Sequence, residues 1–388
     1  MHRPLRSTVM AIRPLVVAAI LWLIAPRASR AETTVSYKYQ DYQESAGRVG
    51  VQAQYGLVEQ SLGTDVKLKL TGVIDTIAGA TPTGEAPTLA SDPVPLSEMH
   101  DKRKAWTLDY TQQHKRGSFT LGIAESRESD YLSRGASLNT LTDFNQKNTS
   151  LLAGLNITAD TIRVFHQTPR ENKHSWDAVV GVNQIIDRNT SLSVNLTTGH
   201  VSGYQSDPYK IITKNTELLP GLFLPLTFPE NRPESRTKWI LFTGLNRTLP
   251  SADAAIDASY RLYRDSFGIT SHTLSAAWLQ KIGSHVILIP SFRFYQQSAA
   301  DFYHVTLTGT SIVPTDNPHD ARANYSADYR LSEFRATTLG LKLVWNPNDH
   351  VRVDLAYDRY KMDGRDGRTS ASAFPTANTV TAGISFTW

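Results

Sequence analysis

TVTAGISFTW, residues 379–388, alternates strictly between polar or small residues and apolar ones. A period of two is that of a β-strand, whose successive side chains point to opposite faces of a sheet. One face carries Val380, Ile384, Phe386 and Trp388, and the other carries threonine, serine and glycine. The stretch therefore predicts a strand with one face in an apolar environment and the other in a polar one.

This strand resembles the signal that the barrel-assembly machinery of Gram-negative bacteria reads when it inserts proteins into the outer membrane. In such signals an amphipathic strand closes on Phe or Trp, as Phe386 and Trp388 do here. The resemblance implies that these two residues form the assembly signal. It also implies that the machinery is a partner during biogenesis.

The first 31 residues have the three parts of a secretory signal peptide. Residues 1–13 carry arginine and no acid, residues 15–25 are continuously apolar, and residues 28–31 read ASRA. The apolar run is shorter than the roughly 20 residues that a transmembrane helix needs. We therefore expect cleavage after Ala31 and secretion across the inner membrane, which leaves residues 32–388 as a single domain.

Charge and cysteine content exclude several classes of protein. The signal peptide holds five of the 40 Lys and Arg residues and none of the 36 acids, so the remaining chain is almost neutral. Its composition gives no reason to expect a nucleic-acid partner. The absence of cysteine excludes a lipid-modified cysteine, disulfides, thiol chemistry and cysteine-based metal sites.

Segments of alternating polarity, each about ten residues long, recur along the rest of the chain. Lys67, Lys69 and Thr71, for example, alternate with Leu68 and Leu70. Only helices and closed barrels satisfy every backbone hydrogen-bonding group in lipid. Because no later segment has the length and apolarity of a transmembrane helix, the pattern predicts an all-β fold, a transmembrane antiparallel β-barrel.

The connections between these segments fall into two classes that orient the barrel. Short connections rich in Gly, Asn, Asp or Pro predict periplasmic turns at residues 61–64, 114–117, 144–148, 187–190, 249–253, 283–284 and 346–349. Longer connections predict extracellular loops at residues 78–102, 160–174, 204–235, 299–325 and 363–378. This arrangement gives about 16 strands with both termini in the periplasm.

Seven stretches resemble the pattern of a family of Gram-negative outer-membrane proteins known as a domain of unknown function, number 3570. They are DTIAGATPTG (75–84), ESDY (128–131), KNT (147–149), DPY (207–209), YRLYRDSFGITSHT (260–273), RFYQQSAADFY (293–303) and DYRL (328–331). The resemblance covers nearly all of residues 32–388 in order. It implies an outer-membrane barrel, without catalytic or binding residues to transfer. It also links the chain to small lipoproteins and extracytoplasmic redox work.

Five residues are candidates for binding a solute at the lumen and the extracellular mouth. The period of two places Arg261 and Tyr263 on the lumen face of one strand, and Arg293 and Tyr295 on that of a later strand. Asp75 faces the lumen near the top of an earlier strand. Arginine binds carboxylate or phosphate, so the group predicts a site for an anionic or aromatic solute. The alternative is a structural belt in which every arginine is paired with an acid.

Metal and catalytic sites are predicted to be absent. Glu125, Glu128 and Asp130 lie close in one loop, but their spacing is not that of an EF-hand. The histidines, among them His166, His174, His272 and His304, show no paired ligand spacing. No serine stands out as the nucleophile of a hydrolase. We therefore expect no cofactor and no enzymatic activity.

Strand number favours one function over the others. Barrels of about 16 to 18 strands leave an aqueous channel unless loops fold into them. The sequence therefore predicts a porin-like channel or solute transporter in the outer membrane, in contact with its lipid. It leaves open a closed barrel that serves as a scaffold or conduit for a periplasmic, lipoprotein or redox partner, and a barrel enzyme.

Overall fold

The computed structural model describes residues 32–87, 89, 92–164, 170–315, 317, 320 and 323–388. The predicted signal peptide and His166 lie outside these residues. Among the described residues, no helix is long and apolar enough to cross a membrane.

Almost all regular structure in the described chain is β-strand. The strands are β1 (Thr33–Glu44), β2 (Gly50–Leu62), β3 (Val66–Pro82), β4 (Leu96–His114), β5 (Gly117–Arg127), β6 (Tyr131–Phe144), β7 (Thr149–Ile162), β8 (Glu171–Asp187), β9 (Thr190–Gly203), β10 (Ile211–Leu219), β11 (Leu222–Pro229), β12 (Ser235–Leu249), β13 (Ala254–Asp265), β14 (Thr270–Ile282), β15 (Val286–Gln297), β16 (Thr306–Leu307), β17 (Phe334–Asn348), β18 (Val351–Gly364) and β19 (Thr376–Thr387). Short 3₁₀ turns occupy Asn145–Lys147, Pro250–Ala252, Tyr329–Leu331 and Ala371–Ala373.

Sixteen of these strands close into one antiparallel barrel within the described residues. β10, β11 and β16 form a separate small sheet, and every other strand pairs with its neighbours in the wall. The seam is the β1–β19 pair, where Thr33 and Trp388 exchange backbone hydrogen bonds of 2.9 and 3.1 Å. The predicted fold class, strand number and terminal strand are confirmed.

The wall alternates between an apolar outside and a polar inside, as the period of two predicts. Along β17, Leu339, Leu341, Leu343 and Trp345 are all exposed on the outside. Lys342, between two of these leucines, points inward and forms an ion pair of 3.3 Å with Asp354. An exposed apolar band of this kind is stable only against lipid, which identifies the barrel as a membrane-spanning type.

All seven predicted periplasmic turns lie at one end of the barrel, here called the turn end. The predicted loops lie at the opposite loop end. The loop expected at 299–325 runs from residue 298 to residue 333, whereas the strands that flank the expected loops 78–102, 160–174 and 363–378 extend further than the sequence indicates. The clearest case is the expected loop 78–102, where β3 and β4 stay paired up to Pro82 and Leu96, so that only residues 83–95 form a loop. Pro82 ends the ladder, where its missing N–H removes no hydrogen bond.

The described residues of four loops at the loop end, 83–95, 204–234, 298–333 and 365–375, pack together into what we call the lid. Tyr329 and Phe334 pack with Phe374 and Val94 in one apolar cluster, which joins three of these loops. Ile211 donates a backbone hydrogen bond to Thr83, which joins the fourth. The lid therefore covers the mouth, and the long loops do fold inward over the lumen.

Gly84 marks a tight contact inside the lid. Its φ of +98° is a conformation that side chains disfavour, and a Cβ there would lie 2.4 Å from the carbonyl oxygen of Ile211. The glycine lets the tip of β3 meet the start of β10. It is also the last residue of the stretch 75–84 that resembles the family pattern.

Candidate functional site

A cavity of about 480 Å³ lies directly under the lid. One wall is the lumen face of β12–β15, and the roof is formed by the lid. Its lining is rich in arginine and polar groups: Asp207, Arg232, Arg236, Arg261, Tyr263, Ile269, Ser271, Thr273, Arg293, Tyr295, Gln297, Asp328, Arg330 and Leu331. Four of the five predicted binding residues, Arg261, Tyr263, Arg293 and Tyr295, are thus brought together.

Strand register explains why these four residues meet. Arg261 on β13 lies opposite Thr273 on β14, which in turn lies opposite Tyr295 on β15. Arg293 follows two residues earlier on β15, on the same face. Neighbouring strands are about 5 Å apart and successive residues on one face about 7 Å apart. The two guanidinium groups therefore reach into one cavity from β13 and β15.

Arg261 and Arg293 differ from the other arginines of the cavity in their partners. Among the described residues, neither has a carboxylate within 4 Å, and both are exposed to the lumen. Arg236, by contrast, is paired with Asp265, and its guanidinium lies 4.5 Å from the ring centroid of Phe267. A structural belt requires paired arginines, so the two unpaired ones are those available to an anion.

The two tyrosines form a fixed aromatic border to this arginine pair. Tyr263 donates a hydrogen bond of 2.6 Å to Asp265, and Tyr295 donates one of 2.6 Å to Gln297. Both hydroxyl groups point towards the lid, and the rings stay half-buried beside the guanidinium groups. The cavity can therefore offer positive charge and aromatic faces to the same solute.

The roof of the cavity is held by a buried ionic network that we call the clasp: Asp207, Glu230, Arg232, Asp328 and Arg330. Arg232 contacts Glu230 at 2.7 Å and Asp328 at 2.8 Å. Arg330 contacts both Asp328 and Asp207 at 2.5 Å. Ser326 also donates a hydrogen bond to Glu230. The clasp joins loop 204–234 to loop 298–333, and its two arginines, Arg232 and Arg330, line the cavity.

Burial shifts the protonation of the clasp. Glu230 and Asp328 are 3% and 1% exposed. Burial raises the pKa of Glu230 to about 7, and Arg232 opposes the shift only in part. Burial also disfavours the charge of Asp328, but Arg330 and Arg232 outweigh it and lower the pKa of that carboxyl. Two neighbouring carboxyls thus differ widely in acidity.

Asp75 does not join the cavity. It lies on the lumen face of β3, as predicted, but is buried against Arg103 of β4 at 2.6 Å. β3 and β13 lie far apart in the strand order of the barrel. A charge paired in this way stabilises its own hairpin, so the structure gives Asp75 no part in the arginine pair.

The acidic residues of segment 125–130 and His272 also lie outside this cavity. Glu128 and Asp130 lie with Asp101, with ligand atoms within 4.8 Å of one another, whereas Glu125 faces outward. Burial raises the pKa of Glu128. His272 is likewise on the outside, where its Nδ1 is 2.7 Å from the Tyr260 hydroxyl.

The sequence interpretation missed the clasp and Arg236. Two of its parts, Asp207 and the pair Asp328 and Arg330, stand in the DPY and DYRL stretches that resemble the family pattern. Those stretches could therefore have indicated that Asp207, Asp328 and Arg330 belong to a site. They lie in loops, however, where no periodicity indicates which side chains meet.

The sequence pattern of the family described as "Protein of unknown function (DUF3570)" matches residues 15–94, 88–170 and 163–388. No curated protein matches the chain.

Three solved structures that resemble the chain are each 10% identical to it or less. The siderophore receptor PirA from Pseudomonas aeruginosa is 10% identical with a TM-score of 0.43, over 87% of this chain and 57% of that one. A bacterial polysaccharide outer membrane secretin is 10% identical with a TM-score of 0.48, over 92% and 98%. OmpT of Vibrio cholerae is 8% identical with a TM-score of 0.44, over 92% and 97%. The chain spans little more than half the length of the siderophore receptor.

Proposed function

From the premise that the chain belongs to the DUF3570 family and folds as an outer-membrane-type barrel, we propose that it is a lidded solute channel or transporter for small anions. We place it in the outer membrane of a Gram-negative bacterium, with the lid outside and the turn end in the periplasm. The observation that carries the proposal is the unpaired Arg261 and Arg293 inside a cavity of about 480 Å³.

The chemistry of the cavity supports an anionic solute with a planar or aromatic part. Guanidinium groups bind carboxylate and phosphate through parallel hydrogen bonds, and they need no proton exchange to do so. Tyr263 and Tyr295 add ring faces beside them. We propose no catalytic role for the chain.

The decisive experiment is single-channel recording of the refolded barrel in a planar bilayer, comparing wild type with the double variant Arg261→Ala plus Arg293→Ala. We expect the anion-to-cation permeability ratio to fall by about tenfold, since fixed charge in a narrow cleft concentrates counter-ions. A matched control, Arg335→Ala plus Arg359→Ala, removes two arginines from the outside of the wall and should leave the ratio unchanged.

Two results would contradict the proposal. One is a conducting protein whose selectivity is the same in the double variant and the wild type. The other is a silent bilayer from well-folded protein, in the wild type and also after the lid is opened by the Arg232→Ala change described below.

A silent barrel would favour a second candidate, a closed barrel that docks or guides a partner such as a lipoprotein. Its support is a different observation, the β10–β11 hairpin. This hairpin projects from the lid with exposed apolar residues, among them Leu219, Leu222 and Phe223, the last of which is 58% exposed. Contiguous exposed apolar patches often mark protein or membrane contacts.

Removal of Trp388 should lower the yield of folded barrel severalfold, because the residue carries both the proposed assembly signal and seam hydrogen bonds to Thr33. The measurement is the heat-modifiable band shift of outer-membrane fractions on gels. Trp345→Ala is the matched control, since Trp345 is a similarly exposed tryptophan on the outside of β17. Equal yields for both variants would show that the terminal residue is not read as a signal.

A further inference from the structure

Four cations form a patch on the outside of the barrel wall near the loop end. They are Lys102 and Lys104 on β4, Arg127 on β5 and Arg134 on β6. All four side chains are exposed, with the two arginines 64% exposed each. This cationic patch is separate from the cavity, because it lies on the opposite face of the wall and on different strands.

The patch lies where the outside of the wall changes from apolar to charged. On β4, Lys102 and Lys104 are followed on the same face by Trp106 and Leu108, both exposed. The same order from the loop end holds on β5, where Arg127 lies nearer the loop end than the exposed Ile123 on the same face. Exposed apolar residues of a barrel face acyl chains, and the aromatic girdle marks the interface. The cations therefore lie at the level of lipid headgroups.

Strand register brings the cations together. Lys104 and Arg127 lie directly opposite each other across the β4–β5 pair. Arg134 lies opposite Glu125, one step below Arg127 on the same face. Side chains directly opposite are about 5 Å apart, and those one step away about 7 Å. Flexible side chains at these separations can converge on a single phosphate group.

The charges of the patch are not balanced by the protein. Glu125 lies 3.0 Å from Arg134 and 3.6 Å from Arg127, so one carboxylate serves two arginines. Among the described residues, neither Lys102 nor Lys104 has a carboxylate within 4 Å. Like charges directly opposite each other on a sheet are unfavourable without a counter-ion. The patch therefore carries excess positive charge, which a bound anion would neutralise.

Another group of outward cations shows that this imbalance is not general. On β17 and β18, Arg335 and Lys361 both lie near Asp363, at 3.9 and 2.9 Å. Their side chains are 46% and 59% exposed, which is comparable to the cationic patch. Arg335 and Lys361 therefore provide a matched control. They are exposed cations on the outside of the wall, but Asp363 neutralises part of their charge.

We propose that Lys102, Lys104, Arg127 and Arg134 form a binding site for the phosphorylated headgroup of an outer-leaflet lipid. Basic clusters at a membrane surface attract anionic headgroups, and arginine pairs with phosphate through parallel hydrogen bonds. The apolar band below the patch holds the acyl chains of the same lipid molecule. This inference rests on the proposed location in the outer membrane.

The test uses the full-length barrel refolded in detergent and native mass spectrometry with lipid A, which carries two phosphates. In Lys104→Ala plus Arg127→Ala, we expect the affinity to fall by about tenfold or more, as expected when charge-assisted hydrogen bonds are lost. Arg335→Ala plus Lys361→Ala should bind like wild type. Dephosphorylated lipid A should bind all three proteins equally weakly.

Three outcomes would overturn the proposal. The first is equal binding of lipid A by the patch variant and the control variant. The second is equal binding of dephosphorylated and phosphorylated lipid. The third is displacement of lipid A by millimolar inorganic phosphate, which would indicate a site for free anions. The heat-modifiable band shift and membrane fractionation test folding and location separately, so a failed lipid site leaves the location of the barrel standing.

Discussion

Arg232→Ala should open the lid while the barrel wall stays folded. The change leaves Glu230 and Asp328 buried without their shared cation. Removing one partner of a buried ion pair costs about 3–5 kcal/mol, because an uncompensated charge remains. That cost falls on the contact between loops 204–234 and 298–333, which the backbone hydrogen bonds between Asn231 and Tyr325 and the β10–β16 pair also join. The expected result is a lid that separates from the mouth.

Two measurements check this result together. Single-channel conductance should rise strongly over wild type, and limited proteolysis should cut the lid loops, whereas the heat-modifiable band shift should remain. Arg335→Ala is the control, because that arginine is exposed and its ion pair of 3.9 Å contributes little. Unchanged conductance with intact lid loops would show that the clasp does not hold the mouth closed.

Acidification should tighten the lid. The pKa of Glu230 is raised from 4.5 to about 7 by burial. Between these values the carboxyl is protonated in the closed lid and ionised in the open one, so closing takes up a proton. Closed-lid stability therefore falls as pH rises from about 4.5 to 7, on the order of 1 kcal/mol per pH unit. Asp328 stays ionised throughout this window, because its pKa is lowered.

The expected readout is open probability in bilayers, which should be lower at pH 5.5 than at pH 7.5. Glu230→Gln removes the titrating group with little change of shape, and its open probability should vary much less across the same range. If the wild type and the glutamine variant respond to pH alike, another group controls the lid. A more open wild type at pH 5.5 would reverse the sign and contradict the assignment to Glu230.

The strands of the wall were predictable from sequence because one face of each strand contacts lipid and the other contacts water, so residue polarity alternates with a period of two. Lipid outside and water inside select residues such as Leu341 and Lys342 in strict alternation. The same phase argument placed Arg261 and Arg293 on the lumen face, and turn chemistry located every connection at the turn end. The predicted binding residues therefore met largely through the geometry of the wall.

The lid was not predictable in this way. Arg232 and Asp328 are 96 positions apart and lie in loops, where no alternation indicates which side a residue faces. Asp75 shows a related limit. The alternation of polar and apolar residues correctly placed Asp75 on the lumen face. Alternation does not indicate which residue of the neighbouring strand lies beside it, so its pairing with Arg103 across the β3–β4 hairpin was not predicted.

The seam between β1 and β19 has a consequence for how the barrel forms. Thr34 and Thr387 contact each other across 353 positions, whereas most other wall pairs are local hairpins. Contacts of such high contact order form slowly, after local structure. Until they form, the wall is an open sheet with two unpaired edges, which readily join other chains. Protection of these edges is therefore needed late in folding, when nearly all other hairpins are already complete.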